Sequence, residues 1–368
     1  MILSIIVFIF SLLGLVIIHE LGHFLVAKKF GIKVLEFGFG IPPKIWGKKF
    51  GETLYSINAL PLGGFVRLFG EDQPAKDLKF IKGGDKSRNF SFKPVSQRIL
   101  VVIAGVVMNL VLAWIIFYAV IISQGFKIIY PNPEPGVYIG YIQENFPAQK
   151  AGIDLGDKIL KVEGKDIKNF DDVRQTIKEK KGESVTLLLS DVEGKNLREV
   201  TLTPKSVEND DFKIGVGFSP IGTKKYKTSN EKLFSGITYS YDLTKLTMFG
   251  FKKTISDLIS GNINSVSKSV AGPVGLATMS NDILSSGPGA LPFYLWFVGV
   301  ISLTLAIFNV LPIPALDGGR LLFLVIEAVI GKKVKEEVER WVHQIGFIIL
   351  LGLAVLVTYS DISKILHR

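Results

Sequence analysis

The sequence contains no cysteine and only four histidines among its 368 residues. The lack of cysteine excludes disulfide bonds and thiolate metal ligands, so any metal site must be built from histidine and carboxylate side chains. Charged residues make up 21% of the chain and hydrophobic residues 48%, with a mean hydropathy of +0.37. This composition is too apolar for an ordinary soluble enzyme of this length. The net charge of +10 is not accompanied by an aromatic-basic motif, so a nucleic-acid partner is not supported.

Four apolar segments are long enough to be membrane-spanning helices: residues 2–27, 99–123, 291–311 and 342–358. Each is near the ~20 residues that a helix needs to cross a hydrocarbon core. The first has no Lys or Arg before its apolar run and is too long for a signal peptide, so we interpret it as an uncleaved helix. A shorter run at 321–330, which contains Glu327, predicts a re-entrant or buried helix.

Basic residues beside the span ends predict the orientation. They are Lys28, Lys29, Lys93, Arg98, Arg320, Lys332, Lys333 and Lys335. Because basic flanks favour the cytoplasmic side, where they also attract anionic lipid, we expect all of these there. The N-terminus, residues 124–290 and the C-terminus are then expected outside.

The segments between the spans predict β-structure and one further helix. Residues 34–41, 54–57 and 64–68 alternate like short strands joined by turns. Beside a membrane, such strands must pair fully or be shielded by protein. Residues 136–205 are polar and follow a β-β-α-β-β pattern, which is typical of one small soluble domain. Residues 232–259 predict an amphipathic helix, and no internal repeat is visible.

The first span contains a His-Glu-x-x-His motif at His19, Glu20 and His23. Residues i and i+4 of a helix lie one above the other, so both imidazoles can bind one metal ion. Glu20 is then placed to take a proton from the attacking water and return it to the leaving amine. The alternative is a solvated helix face or a hydrogen-bonded pair between helices. Ionisable residues inside an apolar span are usually functional, which favours the metal.

A catalytic zinc site commonly has three protein ligands and one open position. The best source of a third ligand is residues 309–320, where Pro312, Pro314, Gly318 and Gly319 are predicted to end the third helix at membrane depth. Free backbone at this depth is tolerated where it lines a cavity or packs in protein. Asp317 is a carboxylate in this place. The alternative is that Asp317 caps the following helix.

Four other polar residues are weaker candidates. Glu327 is an alternative third ligand, and His343, at the start of the fourth span, is interpreted as an interfacial residue. His367 is expected to be solvated at the chain end. Asn109, inside the second span, predicts a hydrogen bond between helices.

Further motifs surround these residues along nearly the whole chain. They are His19-Glu-Leu-Gly-His23, Phe37-Gly-Phe-Gly40, Pro61-Leu-Gly-Gly-Phe-Val66, Gly70-Glu-Asp72, Arg98, Ala104-Gly105 with Asn109, Gly272-Pro-Val-Gly275, and Asn309 through Asp317-Gly-Gly319. Taken together and in this order, they resemble the site-2 proteases, and closely the bacterial RseP-like branch. Val106 departs from that branch, which often has proline there.

The resemblance implies one zinc ion (Zn²⁺) per chain, bound by His19, His23 and Asp317, with Glu20 as general base. It implies that Asn309 holds the substrate backbone or the oxyanion. The residues it suggests for substrate binding are Gly38, Phe39, Gly40, Pro312 and Pro314. The Gly-Phe-Gly hairpin would be a membrane-associated element that presents an unwound substrate as an added strand.

The soluble domain resembles a PDZ module. Residues 151–157 contain its Gly-Asp turn, and residues 161–164 follow as in that fold. The resemblance implies that the module filters substrates by size or grips peptide ends. Since folds do not imply function, a spacer role stays open. Some RseP-like proteins have two such modules, whereas this chain has room for one.

The sequence thus predicts an α-helical polytopic membrane protein of about four transmembrane helices, with a membrane-associated β-hairpin region and one inserted α+β PDZ-like soluble domain. The expected parts are the first half of the protease core (1–123), the PDZ-like domain (124–210), an extracytoplasmic linker (211–290) and the second half of the core (291–368). The resemblance implies a zinc endopeptidase of the bacterial plasma (inner) membrane, with its active site toward the cytoplasmic side. Its substrates would be single-span membrane proteins such as anti-sigma factors, or remnant signal peptides.

Two functions of other classes are open alternatives. The chain could be a catalytically silent PDZ-bearing membrane adaptor, but the intact His-Glu-x-x-His motif and Asp317 disfavour this function. It could be a transporter with broken helices along an ion path. A transporter predicts a repeated helix pattern with a second broken segment, and none is visible.

Overall fold

The computed structural model describes residues 2–71, 86–130, 136–180, 182–207, 211–219, 221–262, 265–266, 270–287 and 289–366. It divides into two compact units. The helical unit comprises Met1–Phe117 and Thr247–Arg368, and the sheet unit comprises Tyr118–Leu246. The candidate residues Asp72 and His367 lie outside the described residues.

The elements follow one another in this order: α1 (Ile2–Lys29), β1 (Val34–Phe50), β2 (Thr53–Leu68), α2 (Val95–Ser123), β3 (Lys127–Ile129), β4 (Val137–Ile142), α3 (Pro147–Lys150), β5 (Lys158–Val162), β6 (Lys165–Asp166), α4 (Phe170–Glu179), β7 (Val185–Ser190), β8 (Arg198–Leu202), β9 (Lys205–Val207), β10 (Asp211–Lys213), β11 (Val216–Ser219), β12 (Thr223–Lys225), α5 (Ser229–Leu233), α6 (Ser235–Ile259), α7 (Pro273–Leu284), α8 (Ala290–Val310), α9 (Asp317–Ile330) and α10 (Glu336–Leu366).

Four helices, α1, α2, α8 and α10, are long and apolar enough to cross a membrane. The shortest, α8, has 21 residues, or about 32 Å at ~1.5 Å per residue, which matches a hydrocarbon core of roughly 30 Å. The four predicted spans are confirmed, and the chain is a membrane protein. Helices α1, α2 and α10 extend beyond the predicted apolar runs, because polar flanking residues such as Lys28 and Lys29 continue the helical hydrogen bonding. Helix α8 is shifted by one residue from its predicted run.

The break after α8 differs from the prediction in one respect. The helix ends at Val310 and a loop of residues 311–316 follows, but Gly318 and Gly319 lie inside the first turn of α9. A side chain on Gly318 would meet the Leu311 carbonyl oxygen at 1.8 Å. The glycines therefore do not break a helix; they let the start of α9 pack directly on the preceding loop.

The predicted strands between α1 and α2 are joined into two long, bent strands, β1 and β2. Their register places residues 34–39 between 64–68 on one side and 54–57 on the other, while residues 44–50 pair with 53–58. The ladder order is therefore 64–68, 34–39, 54–57, 44–50. The pairings of residues 36–39 with 54–57 and of 44–50 with 53–58 run in opposite senses, so the chain reverses direction between residues 39 and 44 and again between residues 58 and 64. Gly40 and Gly63, with φ of +79° and +103°, lie at these two reversals, in agreement with the predicted turns.

Polar contacts hold this hairpin together. The buried Glu36 carboxylate accepts a hydrogen bond from the Ser56 hydroxyl at 2.7 Å and pairs with Arg67 at 2.9 Å. At the turn, Glu52 pairs with Lys28 at 2.8 Å and with Arg88 at 2.6 Å. These two cations lower the pKa of Glu52 to about 2. The turn is thereby tied to the end of α1 and to the segment before α2.

The sheet unit contains the predicted β-β-α-β-β pattern, with element ends within two residues of expectation. Its sheet has the order β11-β4-β5-β7-β8, with β6 beside β5, and α4 packs Val173 and Ile177 into the core. Strand β11 pairs with β4, so the sheet extends past the expected boundary at residue 210. Whether this unit is a PDZ module stays a prediction.

The amphipathic helix expected at 232–259 is divided. A short helix, α5, is preceded by a capping box between Thr228 and Glu231 and ends at Leu233, and α6 begins two residues later at Ser235. Farther along, the Gly272-Pro-Val-Gly275 motif opens α7. Its Gly272 and Gly275 amides both donate to the buried Asp361 carboxylate of α10 at 2.8 Å. A carboxylate from another helix thus satisfies N–H groups that a helix start leaves open.

Candidate metal centre

The His-Glu-x-x-His motif lies in the C-terminal half of α1, where continuous helix places His19 and His23 one turn apart. Their rings meet edge to face with centroids 4.8 Å apart. The Nε2 atoms of the two rings are 3.2 Å from each other. Both side chains are nearly buried, with exposed fractions of 10% and 12%. The helix therefore presents two converging imidazole nitrogens inside an apolar span.

Asp317 is the first residue of α9 and brings a carboxylate to the same point. Its Oδ2 atom lies 2.9 Å from His19 Nε2 and 3.3 Å from His23 Nε2. The residue preceding the helix is Leu316, and no side chain caps the start of α9. The alternative role of Asp317 as a helix cap is therefore not seen.

The three ligand atoms fit one zinc ion. With Zn–N and Zn–O bonds of about 2.0–2.1 Å, two corners of a tetrahedron are about 3.3 Å apart. The three separations here are 2.9, 3.2 and 3.3 Å. Two imidazoles and one carboxylate also form a donor set that suits zinc and leaves a fourth position open.

Helix α2 provides a polar neighbour for the Nδ1 atom of each histidine, on the side of the ring opposite the candidate metal position. His23 Nδ1 lies 2.8 Å from the Val101 carbonyl oxygen, and His19 Nδ1 lies 3.4 Å from the Asn109 side-chain nitrogen. Such outer partners fix the orientation of ligating rings. Asn109 does form the predicted bond between helices, but its partner is a candidate ligand.

Two glycines make room for these rings. A side chain at Gly105 of α2 would lie 2.4 Å from His23 Nε2 and 2.7 Å from the His19 ring, and one at Gly22 of α1 would lie 2.3 Å from the Ala104 carbonyl oxygen. Sequence reasoning did not assign Gly105 a role. The available signal was a glycine inside an apolar helix, which indicates close packing.

Glu20 faces β2 beside the three ligands. Its Cγ atom lies 3.4 Å from the position that a side chain on Gly64 would take. Glu20, His23 and Asp317 line a cavity of about 1170 Å³, together with residues 65–68 of β2. The ladder edge at 64–68 therefore borders the candidate site.

The predicted substrate-binding residues lie in two places, the β1–β2 ladder and the segment around the end of α8. Gly38 pairs with Phe65 and Ser56, and Phe39 pairs with Gly64 and Ile57. These two residues are inside the ladder, paired on both sides, and Gly40 follows with φ +79°. Pro312 and Pro314 lie in the loop before α9, and Asn309 is half-buried in the last turn of α8.

Two weaker candidates have other roles. Glu327 forms a buried ion pair with Arg98 at 2.5 Å, so its carboxylate is engaged away from the histidines and is not an alternative third ligand. His343 lies inside α10, not at its start, and its Nδ1 accepts a hydrogen bond from the Ala315 amide at 2.9 Å. Ala315 has φ +72°, so His343 holds the loop in a conformation that L-residues rarely adopt.

Known proteins resemble this chain over almost its full length. A family model described as Peptidase family M50 matches residues 7–353. A Clostridium perfringens protein named as a candidate zinc metalloprotease is 36% identical over 357 residues, which cover 96% of this chain and 98% of the relative. The Bacillus subtilis protein named regulator of sigma-W protease RasP is 31% identical over 435 aligned residues, which cover 98% of this chain and 99% of the relative. The zinc metalloprotease RasP of Geobacillus kaustophilus is 30% identical over 433 residues, with 98% of each chain covered.

Proposed function

Because the chain belongs to peptidase family M50 and is a zinc metalloprotease, we propose that it cleaves single-span membrane proteins within the bilayer. The observation that carries this proposal is the convergence of His19, His23 and Asp317 inside an apolar helix long enough to cross a membrane. A metal site at this depth serves a substrate that is itself in the membrane.

In this proposal His19, His23 and Asp317 hold the zinc ion. When bound there, zinc supplies a Lewis acid that polarises the scissile carbonyl group and makes water a stronger nucleophile at neutral pH. Glu20 takes the proton from the attacking water and delivers it to the leaving nitrogen. Asn309, at the end of α8, is assigned to hold the substrate carbonyl oxygen.

Substrate presentation is assigned to the edge of the hairpin. A helical substrate hides its amides in its own hydrogen bonds, so it must be unwound before hydrolysis. Residues 64–68 are the outer rank of the ladder and border the cavity that contains Glu20 and Asp317. An extended segment added there would lie beside the candidate base. Gly38, Phe39 and Gly40 then support this edge from inside, and Pro312 and Pro314 shape the opposite loop.

The proposed location is the bacterial inner membrane, with the site toward the cytoplasm and the sheet unit outside. The support comes from the basic flanks, because Lys28 and Lys29 end α1, Arg98 is in the first turns of α2, and Arg320 is in α9. Positive residues beside short loops favour the cytoplasmic side.

For the sheet unit we propose contact with a peptide end of the substrate, either as a size filter or as a grip. Strand β11 is the last strand on one side of the sheet, and an edge strand can pair with an extended peptide. Phe218 of β11 stacks on Phe170 of α4 with ring centroids 5.8 Å apart. Anti-sigma factors and remnant signal peptides are the substrate classes proposed, in keeping with the sigma-W regulator among the relatives.

The proposal is tested by cleavage of a panel of tagged single-span substrates in detergent, with zinc content measured in parallel. We expect wild-type protein to bind one zinc ion and cleave. Glu20→Gln should bind zinc but lose cleavage by at least ~100-fold, since general base catalysis typically contributes ~10²–10⁴-fold. The matched control is Glu337→Gln, at an exposed position of α10, which should cleave normally.

Each other outcome has a defined meaning. Normal cleavage by Glu20→Gln would exclude Glu20 as the base. Zinc-loaded wild-type protein that cleaves no member of the panel would overturn the proposed endopeptidase activity on these substrates and favour the silent adaptor.

A further inference from the structure

Asn109 is placed against the outer nitrogen of His19. It lies in the middle of α2 with 1% of its surface exposed, and its Nδ2 atom is 3.4 Å from His19 Nδ1. Its Oδ1 atom is buried and has no hydrogen-bond partner among the described residues. A buried amide with an open acceptor is costly, so such a group in a native site usually has a role.

The state of His19 Nε2 decides whether Nδ1 must donate or accept a hydrogen bond. Nε2 lies 2.9 Å from Asp317 Oδ2. Without a metal, a neutral ring can donate a hydrogen bond from Nε2 to this carboxylate, and Nδ1 then accepts one. When Nε2 binds a metal through its lone pair, the proton of the neutral ring is on Nδ1, which must donate.

An amide can satisfy both forms of the ring. As placed, the Asn109 Nδ2 group donates to an unprotonated Nδ1. Rotation of the amide by 180° exchanges its nitrogen and oxygen, which have nearly the same shape. The Oδ1 atom then accepts from a protonated Nδ1 at the same site.

His23 contrasts with His19 in this respect. Its Nδ1 lies 2.8 Å from the Val101 carbonyl oxygen of α2. A backbone carbonyl can only accept, so the neutral His23 ring keeps its proton on Nδ1 and its Nε2 lone pair toward the site. One ring is thus held in a single form, whereas the other faces a group that accepts both forms.

We propose that Asn109 is a positioning residue that holds His19 in both tautomers, so that zinc can enter or leave without a change in the ring's orientation. This proposal rests on the zinc site proposed above. It predicts that the amide rotates when the metal binds.

The test compares zinc affinity in Asn109→Leu and Asn109→Asp, measured by competition with a chromophoric chelator on the full chain in detergent. Leu shares the branching of Asn at Cγ but cannot hydrogen-bond, so we expect zinc affinity to fall about 10–100-fold, the range for outer-sphere partners of ligating histidines. Asp supplies the acceptor that the metal-bound form needs, so its zinc affinity should stay within a few-fold of wild type. A residue that merely packs between helices predicts the opposite order, because a buried carboxylate costs more than a buried Leu.

Ser302→Ala is the matched control. The Ser302 hydroxyl donates to the Asn109 backbone carbonyl at 2.8 Å, so its removal weakens helix packing at the same residue without changing the amide. We expect normal zinc affinity. A loss equal to that of Asn109→Leu would assign the effect to helix packing and overturn the proposal.

A measurement on wild-type protein keeps the test independent of variant folding. Nitrogen-15 labelling of histidine gives only four side chains to resolve. We expect His19 Nδ1 to change from unprotonated to protonated when Zn²⁺ is added, while His23 Nδ1 stays protonated. An unchanged His19 Nδ1 in zinc-loaded protein would overturn the proposal. Failure of wild-type protein to bind zinc would instead overturn the proposed function.

Discussion

The glycine at position 105 is as important to the candidate site as the candidate ligands, because it leaves space for their rings. Gly105 lets α2 approach the histidine rings, and a single methyl group there would lie 2.4 Å from His23 Nε2. The contact is with a ring that is held by the Val101 carbonyl, so the ring cannot move aside without losing that bond.

Gly105→Ala should therefore lower zinc affinity strongly, by at least ~10-fold, because the added methyl group displaces a ligand ring. Helix propensity acts in the other direction, since Ala is more favourable than Gly by about 1 kcal/mol in a helix interior. Chelator competition measures the affinity, and circular dichroism checks that the helices are retained.

Gly14→Ala is the control for this substitution. Gly14 lies in α1, and a side chain there meets no atom within 4 Å. We expect normal zinc affinity and unchanged or slightly higher stability. Equal zinc affinity in both variants would show that Gly105 is not needed to seat the rings.

At the scale of elements, the hairpin depends on charges at its turn. Glu52 joins the turn to Lys28 and Arg88, and its pKa is lowered from 4.5 to about 2 by these cations. A carboxyl group with a lowered pKa in the folded state stabilises the fold above its unfolded pKa. This stabilisation is lost as the pH falls from about 4.5 to about 2.

We accordingly expect the thermal midpoint of the helical unit to fall across this pH range, and Glu52→Gln to remove that part of the pH dependence. The contribution should be on the order of 1 kcal/mol, as for partly exposed ion pairs. Thermal melts from pH 7 to pH 2.5 measure it, with Glu337→Gln as control. An identical pH profile in wild type and Glu52→Gln would exclude the contribution.

At the scale of the whole molecule, all three candidate ligands lie in the helical unit, as do the four tryptophans: Trp46, Trp114, Trp296 and Trp341. Tryptophan fluorescence therefore reports on this unit alone. The strands β4, β5, β7, β8 and β11 of the other unit are open to separate measurement by hydrogen exchange.

Removal of zinc should lower the midpoint of the tryptophan-reported transition and leave hydrogen exchange in the sheet unit unchanged. A ligand that binds only the folded state stabilises it by about 2.7 kcal/mol at 100 times its Kd. The measurement compares zinc-loaded protein with protein treated with a chelator. Equal loss of protection in the sheet unit would show that its stability also depends on the metal.

The sequence predicted the features that arise from local patterns. The four spans follow from length and hydropathy, and the His19–His23 pair follows from one helical turn. Asp317 could be predicted as a candidate ligand because prolines interrupt the helical pattern just before it. These signals are each contained in a few consecutive residues.

Long-range partners were not predictable in the same way. The register between α1 and α2 decides that Asn109 meets His19 and that Gly105 faces the rings, and no local pattern specifies it. The sequence makes Glu327 a candidate ligand, and only its ion pair with Arg98, 229 positions away, excludes that role. The ladder of β1 and β2 likewise depends on a strand register that cannot be predicted from the sequence of irregular strands.

The wide spacing of the three ligands along the chain has a consequence during biosynthesis. His19 and Asp317 are 298 positions apart, so a ribosome that adds ~5–20 residues per second reaches the carboxylate about 15–60 s after the histidines. Until then the nascent chain contains only two of the three candidate ligands. The complete set of candidate ligands therefore cannot form on a chain whose α9 has not been synthesised, and an unfinished copy has no complete metal site.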